Sequence, residues 1–179
     1  FFLTQRIKYN YNNFKIKMKK KKISKIINLK FILIVALFVF LDQISKFFIR
    51  TNMYIGKSIP LFENVLHMTY VTNTGISFGM LKGNNFLFII ISIAVFIFFI
   101  LNIKEFTDSK LGAAFIFSGI IGNVTDRIFL GSVVDFIDFR VFPIFNFADS
   151  FINIGVFLIV LSAIREYMKQ KKKLLKTKS

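Results

Sequence analysis

Asp135 and Asp149 stand fourteen residues apart, in the segments Val133-Val134-Asp135-Phe136-Ile137 and Phe145-Asn146-Phe147-Ala148-Asp149-Ser150. The stretch between them is short enough to fold back and bring two carboxyl groups together. Two close carboxylates cannot both ionise cheaply, so one keeps a proton near neutral pH. The ionised member can take a proton from water while the protonated member polarises a carbonyl group. That is the chemistry of an aspartic peptidase. Asp149 also opens an apolar run that reads as a helix, and a helix N-terminus favours negative charge. Spacing alone leaves open the plainer alternative, that both are ordinary polar residues of a loop.

Other nucleophiles fit less well. Gly75-Ile76-Ser77-Phe78-Gly79 has the G-x-S-x-G form of a nucleophile elbow. That elbow works on a strand-to-helix turn of an α/β sheet with His and acidic partners, and this chain has no room for such a sheet. The one histidine, His67, falls in a strand-like run and reads as an exposed strand residue. Ser45 and Lys46 are adjacent, and neighbours on a helix do not face each other. There is no Cys, hence no thiolate and no Cys-based metal site, and a lone His excludes HExxH zinc chemistry.

The elements that must hold these residues are membrane spans. The chain has 179 residues, is 55% hydrophobic and has a mean hydropathy of +0.62, yet its formal net charge is +16. The two properties are segregated, because seventeen of the 25 Lys and Arg residues lie within 1–30 and 165–179. An ordinary soluble domain is excluded, and no nucleic-acid partner is expected. Three regions are read: a basic, disordered N-terminal tail over 1–28, a four-span membrane domain over 29–168, and a basic cytoplasmic tail over 169–179. Met18 opens an M-K-K-K-K run and reads as the natural start, with 1–17 as an upstream extension.

Apolar runs occupy about Leu29–Ile49, 83–103, Leu111–Leu130 and Ala148–Ile164. The second holds no charge between Lys82 and Lys104 and is long enough for a ~30 Å hydrocarbon core. Lys and Arg asymmetry puts both tails and the 104–110 turn on the cytoplasmic side, with 50–83 and 131–147 outside. The first outer loop holds Val65-Leu66-His67-Met68-Thr69-Tyr70-Val71-Thr72-Asn73, which reads as a strand.

Ionisable residues in spans are expensive and are functional candidates. On this topology Asp42, Lys46, Asp126, Arg127, Asp135 and Asp149 all gather near the outer surface. Asp42 and Lys46 are i,i+4 and suit a structural ion pair. Gly119, Gly122, Asn123 and Asp126 form a small, polar stripe suited to close helix packing. Arg127 wants a loop carboxylate or a lipid phosphate or carbonyl. Asp138 reads as solvated.

These residues fall into five segments that resemble the lipoprotein signal peptidases (signal peptidase II), over about residues 28–168. Asp42-Gln43-Ile44-Ser45-Lys46 is similar to D-x-x-S-K. Asn73-Thr74-Gly75-Ile76-Ser77-Phe78-Gly79 is similar to N-x-G-x-A-F, with Ser77 in place of Ala. Residues Ser118 to Arg127 are similar to G-G-x-x-G-N-x-x-D-R, with Ser118 in place of the first Gly. The two aspartate segments resemble those carrying the family's catalytic pair.

The resemblance implies an all-α membrane protein of four transmembrane helices with a small extracytoplasmic β-cradle. It implies a membrane aspartic endopeptidase that removes signal peptides from diacylglyceryl-modified prolipoproteins, on the N-terminal side of the lipidated Cys. Asp135 and Asp149 would be catalytic, with no metal or organic cofactor implied. Asn73, Asn123, Arg127 and Asn146 would bind or orient substrate, and Asp42, Lys46 and Asp126 would be structural. The expected setting is the bacterial cytoplasmic membrane, as a monomer among lipids. The competing reading is a non-enzymatic channel or transport subunit, which gives no reason for the paired aspartate segments.

Overall fold

The computed structural model describes residues 27–75, 84–103, 106 and 109–177. The N-terminal extension, Ser77 and most of the 104–110 turn fall outside these residues.

Helix α1 (Leu29–Asn52) starts at Asn28, whose side chain accepts the Phe31 N–H at 2.9 Å, as a good N-cap does. Its burial is inverted relative to a soluble helix. The buried residues are Phe31, Asp42, Lys46 and Ile49, while Leu33, Phe40 and Phe48 are exposed. A helix that hides charge and shows Leu and Phe is dressed for hydrocarbon.

A hairpin follows, of β1 (Ser58–Phe62) and β2 (Leu66–Asn73), turned at Asn64 with φ 60°. Helix α2 (Asn85–Leu101) is uncharged and almost wholly apolar, and α3 (Lys110–Leu130) ends at Gly131 with φ 75°, the left-handed stop that glycine permits. Strand β3 (Val133–Asp138) pairs antiparallel with β2, giving a three-stranded sheet in the order β1-β2-β3. Helix α4 (Phe147–Thr177) closes the chain and runs on through the basic segment after 168.

Helix α3 is the axis of the molecule and packs against α1, α2 and α4. Small residues let it do so. A Cβ on Gly119 would collide with the backbone carbonyl of Ala148 and with Ile152, and one on Gly112 would lie 2.9 Å from the Gly155 carbonyl. Phe31, Ile103, Ala113, Ala114 and Phe117 form one apolar cluster between the helices. Ile49, Met53, Tyr70, Val134 and Phe136 form another, which seats the sheet on the end of α1.

Among the described residues three helices, α1, α3 and residues Phe147–Lys172 of α4, are long and apolar enough to cross a membrane. The second apolar run is shorter than its composition suggests, with 17 helical residues between Asn84 and Asn102. Two further expectations need correction. The 131–147 segment is not simply a loop, because Val133–Asp138 is the third strand and carries Asp135. Asp138 is not solvated either: it is buried, at a cost that hydrogen bonds from Thr69 and Arg140 to its carboxylate offset.

Candidate active site

Asn146 is the N-cap of α4 and the centre of the site. Its side-chain Oδ1 accepts the Asp149 N–H at 2.9 Å, and its own N–H lies 3.3 Å from Asp149 Oδ2. This reciprocal arrangement is a capping box, with Asp in place of the usual Glu or Gln. The Asn146 amide also donates to Asp135 Oδ1 at 2.6 Å, from a position with no solvent exposure. One residue therefore touches both carboxylates.

Two more amides complete the shell. Asn73, the last residue of β2, donates to Asp135 Oδ2 at 3.0 Å, and Asn123 of α3 donates to Asp149 Oδ1 at 2.8 Å. The Asn123 oxygen accepts from Asn146 at 3.2 Å and from Lys46 Nζ at 3.0 Å. Asp135 is buried, whereas Asp149 is half-buried and reachable from outside. Burial first, then the neighbouring Asp149 charge, push the Asp135 carboxyl up to about 7. A carboxyl raised that far is partly protonated near neutral pH.

Behind the amides lies a charged floor. Lys46 is 1% exposed, and its ammonium meets Asp42 Oδ2 at 2.9 Å, Asp126 Oδ2 at 3.0 Å and Asn123 Oδ1 at 3.0 Å. Those three contacts use all three N–H donors. The carboxylates have further partners: Ala148 N–H donates to Asp42 at 2.8 Å, and Val134 N–H donates to Asp126 at 3.0 Å. The floor therefore ties α1 to the start of α4 and α3 to β3, the two elements that bear Asp149 and Asp135.

The predicted residues Asp135, Asp149, Asn73, Asn123, Asn146, Asp42, Lys46 and Asp126 come together in one network. Arg127 stands apart. It makes no ion pair among the described residues. Its guanidinium lies 5.4 Å from the centroid of the Phe88 ring, within electrostatic reach of Asp149, Asp135 and Asp126, and its Nε is buried with no hydrogen-bond partner among the described residues. A donor held so beside the pair is suited to an acceptor on a bound molecule. His67 is half-buried in β2, with Nδ1 3.2 Å from Ser58 Oγ. Sequence reasoning missed Gln43, whose amide nitrogen lies 3.0 Å from Asp126 Oδ1, 3.1 Å from the Gly122 carbonyl and 3.2 Å from Asp42 Oδ2. The clue was its place between two intramembrane charges.

The model of the signal peptidase (SPase) II family matches residues 34–165, which contain the whole of this network. The chain belongs to the signal peptidase II family. It is 39% identical over 132 residues to a lipoprotein signal peptidase of Halothermothrix orenii, covering 72% of this chain and 91% of that protein. It is 41% identical over 136 residues to one from Clostridioides difficile, covering 73% and 92%. A solved structure described as a bacterial membrane enzyme, determined by the in meso method, aligns with a TM-score of 0.69 at 36% identity, over 77% of this chain and 89% of that one. Family membership removes the channel or transport reading.

Proposed function

We propose that Asp135 and Asp149 are the acid and base of a membrane aspartic endopeptidase that cleaves lipid-modified prolipoproteins. The observation that carries this is the contact of Asn146 with both carboxylates, one of which is raised to about 7 by burial and its neighbour's charge. Asp149, the more accessible member, takes a proton from water as the water oxygen attacks the scissile carbonyl. Protonated Asp135 gives its proton to the carbonyl oxygen, and a tetrahedral diol forms. Asp149 then protonates the leaving amine, the carbon–nitrogen bond breaks, and Asp135 recovers a proton from the diol hydroxyl. Asn73, Asn123 and Asn146 hold the two carboxyl groups in register. Arg127 receives a substrate carbonyl or lipid oxygen.

The remaining parts of this reading follow from the same logic. Helix α2 is the fourth span, tilted little because its 17 residues are short for a ~30 Å core. The sheet acts as a cradle over the pair on the outer side, and both termini face the cytoplasm, in keeping with the basic ends. A lipidated substrate reaches such a site sideways from the outer leaflet, as a single chain meeting a monomeric enzyme among membrane lipids.

The test is cleavage of a diacylglyceryl-modified signal-peptide substrate by purified full-length protein. Asp135→Asn and Asp149→Asn should each lower kcat by roughly a hundred- to ten-thousand-fold. The double variant should be scarcely worse, because the groups act as a unit. Near wild-type cleavage by either folded single variant would sink the assignment.

A further inference from the structure

Asp138 lies three residues beyond Asp135 on β3 and is 4% exposed. Its Oδ1 accepts the Arg140 N–H at 2.8 Å, and its Oδ2 accepts from Thr69 Oγ1 at 2.7 Å and from the Arg140 guanidinium at 3.1 Å. The Thr69 hydroxyl lies 2.7 Å from Ser58 Oγ, which in turn lies 3.2 Å from His67 Nδ1. The relay crosses the whole sheet, from Ser58 on β1 through Thr69 on β2 to Asp138 on β3.

Proton counting gives this relay a direction. Thr69 has one hydroxyl proton and gives it to Asp138. Ser58 must then give its own proton to Thr69, so His67 Nδ1–H must donate to Ser58. The chain of donors thus ends on Asp138, which suits a charged carboxylate. Burial works against that charge, but the hydrogen bonds from Thr69 and Arg140 outweigh it and hold the Asp138 carboxyl below its ordinary value.

The relay ends where the chain reverses between the two aspartates. Arg140 is left-handed, with φ 67°, and Asp138 satisfies its N–H. Phe145 then returns antiparallel to Ile137, with hydrogen bonds of 2.8 and 3.1 Å. The next residue is Asn146, which grips Asp135 and caps the helix bearing Asp149. One limb of the reversal carries Asp135, the other leads to Asp149, and Asp138 pins the bend to β2.

We propose that Asp138 is a positioning residue which, through Thr69 and Arg140, sets the separation of Asp135 and Asp149. This rests on the reading of those two as the catalytic pair. If the bend loosens, the carboxylates move apart and their mutual repulsion falls with distance. The Asp149 charge then raises the Asp135 carboxyl less, so the alkaline limb of the pH–rate profile moves to lower pH and the bell narrows.

The experiment measures kcat, KM and the pH–rate profile of full-length Asp138→Ala, Asp138→Asn and Thr69→Val protein on a lipidated peptide, beside Asp135→Asn and Asp149→Asn. Asp138→Ala should keep KM close to wild type, lower kcat roughly tenfold to a hundredfold and narrow the bell. Thr69→Val, which removes one hydrogen bond, should shift both in the same direction by less. A bell of wild-type width, with activity tracking only the amount of folded protein, overturns the proposal. If Asp138→Ala does not accumulate, the same outcome in Thr69→Val and Asp138→Asn overturns it. Retained cleavage by Asp135→Asn or Asp149→Asn would instead defeat the catalytic reading itself, so the two failures are distinct.

Discussion

The Asn146 side-chain amide donates to Asp135 Oδ1 at 2.6 Å while the same residue caps the helix that carries Asp149. Helix initiation and the spacing of the two carboxylates are therefore one structural event. Separating the two roles gives a first prediction. Asn146→Ser keeps an N-cap oxygen but is too short to reach Asp135. Cap residues of this kind differ little among themselves, whereas loss of the cap costs about 1 kcal/mol. Asn146→Ser should thus melt close to wild type and lose most of its activity, and Asn146→Ala should lose both. Full cleavage by Asn146→Ser would mean that the Asp135 contact is dispensable.

The raised carboxyl of Asp135 predicts a pH dependence of stability. Its value is about 7 in the folded chain, against 3.8 as the ordinary value. Between those limits the folded state binds the extra proton, so its stability falls as pH rises through the window. Below the lower limit both states are protonated, and above the upper one both are ionised. Unfolding of wild type and Asp135→Asn in detergent, compared at pH 4 to 8, should show this decline in wild type only. Parallel curves would show that Asp135 titrates normally.

Much of the site is legible in the sequence because intramembrane charge is costly. Asp42, Lys46, Asp126 and Arg127 stand out against apolar runs, and helix direction alone gathers them at one end. The 135–149 spacing is likewise readable, since a short segment between two helices must fold back. Asp138 is not, because its burial depends on Thr69, which lies 69 residues earlier and meets it only through strand pairing. The same is true of Val133–Asp138 as a strand: its β-branched and aromatic residues are suggestive, but it needs the β2 edge to become one. Gln43 hides for a third reason, being uncharged among louder neighbours.

Lys46 anchors the next prediction. Its ammonium neutralises Asp42 and Asp126 in a region with no access to water. Removing one member of a buried ionic cluster leaves uncompensated charge and costs about 3–5 kcal/mol. Lys46→Met should therefore reduce the yield of folded protein sharply. Adding Asp42→Asn and Asp126→Asn should recover much of the yield, since neutral amides need no counter-charge. Activity should recover less, because Asn123 still lacks the donor that orients it towards Asp149. Undiminished yield from Lys46→Met alone would show that the cluster is not what holds α1 to α3.

Topology can be read by labelling. Lys57 precedes β1, and Val141, which is 93% exposed, sits at the tip of the reversal after β3. Cys at either position should react with an impermeant reagent added outside intact cells, whereas Lys172→Cys should react only after lysis. The native chain has no Cys, so every signal belongs to the introduced thiol. External labelling at position 172 would put the aspartate pair on the wrong side of the membrane for the proposed substrate.

The small residues of α3 offer a test of how tightly the pair depends on helix packing. Gly112 and Gly119 lie two turns apart on the same helix, and both face α4. A methyl group on Gly112 would lie 2.5 Å from Ser109 Oγ and 2.9 Å from the Gly155 carbonyl. One on Gly119 would strike the Ala148 carbonyl, which lies between Asn146 and Asp149 in the first turn of α4. Backbone cannot rotate out of the way as a side chain can, so each helix pair must separate locally. Overpacking of this kind costs about 1–3 kcal/mol, and both Gly112→Ala and Gly119→Ala should lower the melting temperature. Only Gly119→Ala moves the helix start that carries Asp149 and breaks the Ala148 contact with Asp42. Per folded molecule, its kcat should fall roughly tenfold to a hundredfold, while Gly112→Ala protein should turn over at a rate near wild type. Equal kcat in the two variants would show that the position of Asp149 is set by its own cap and not by the α3–α4 contact.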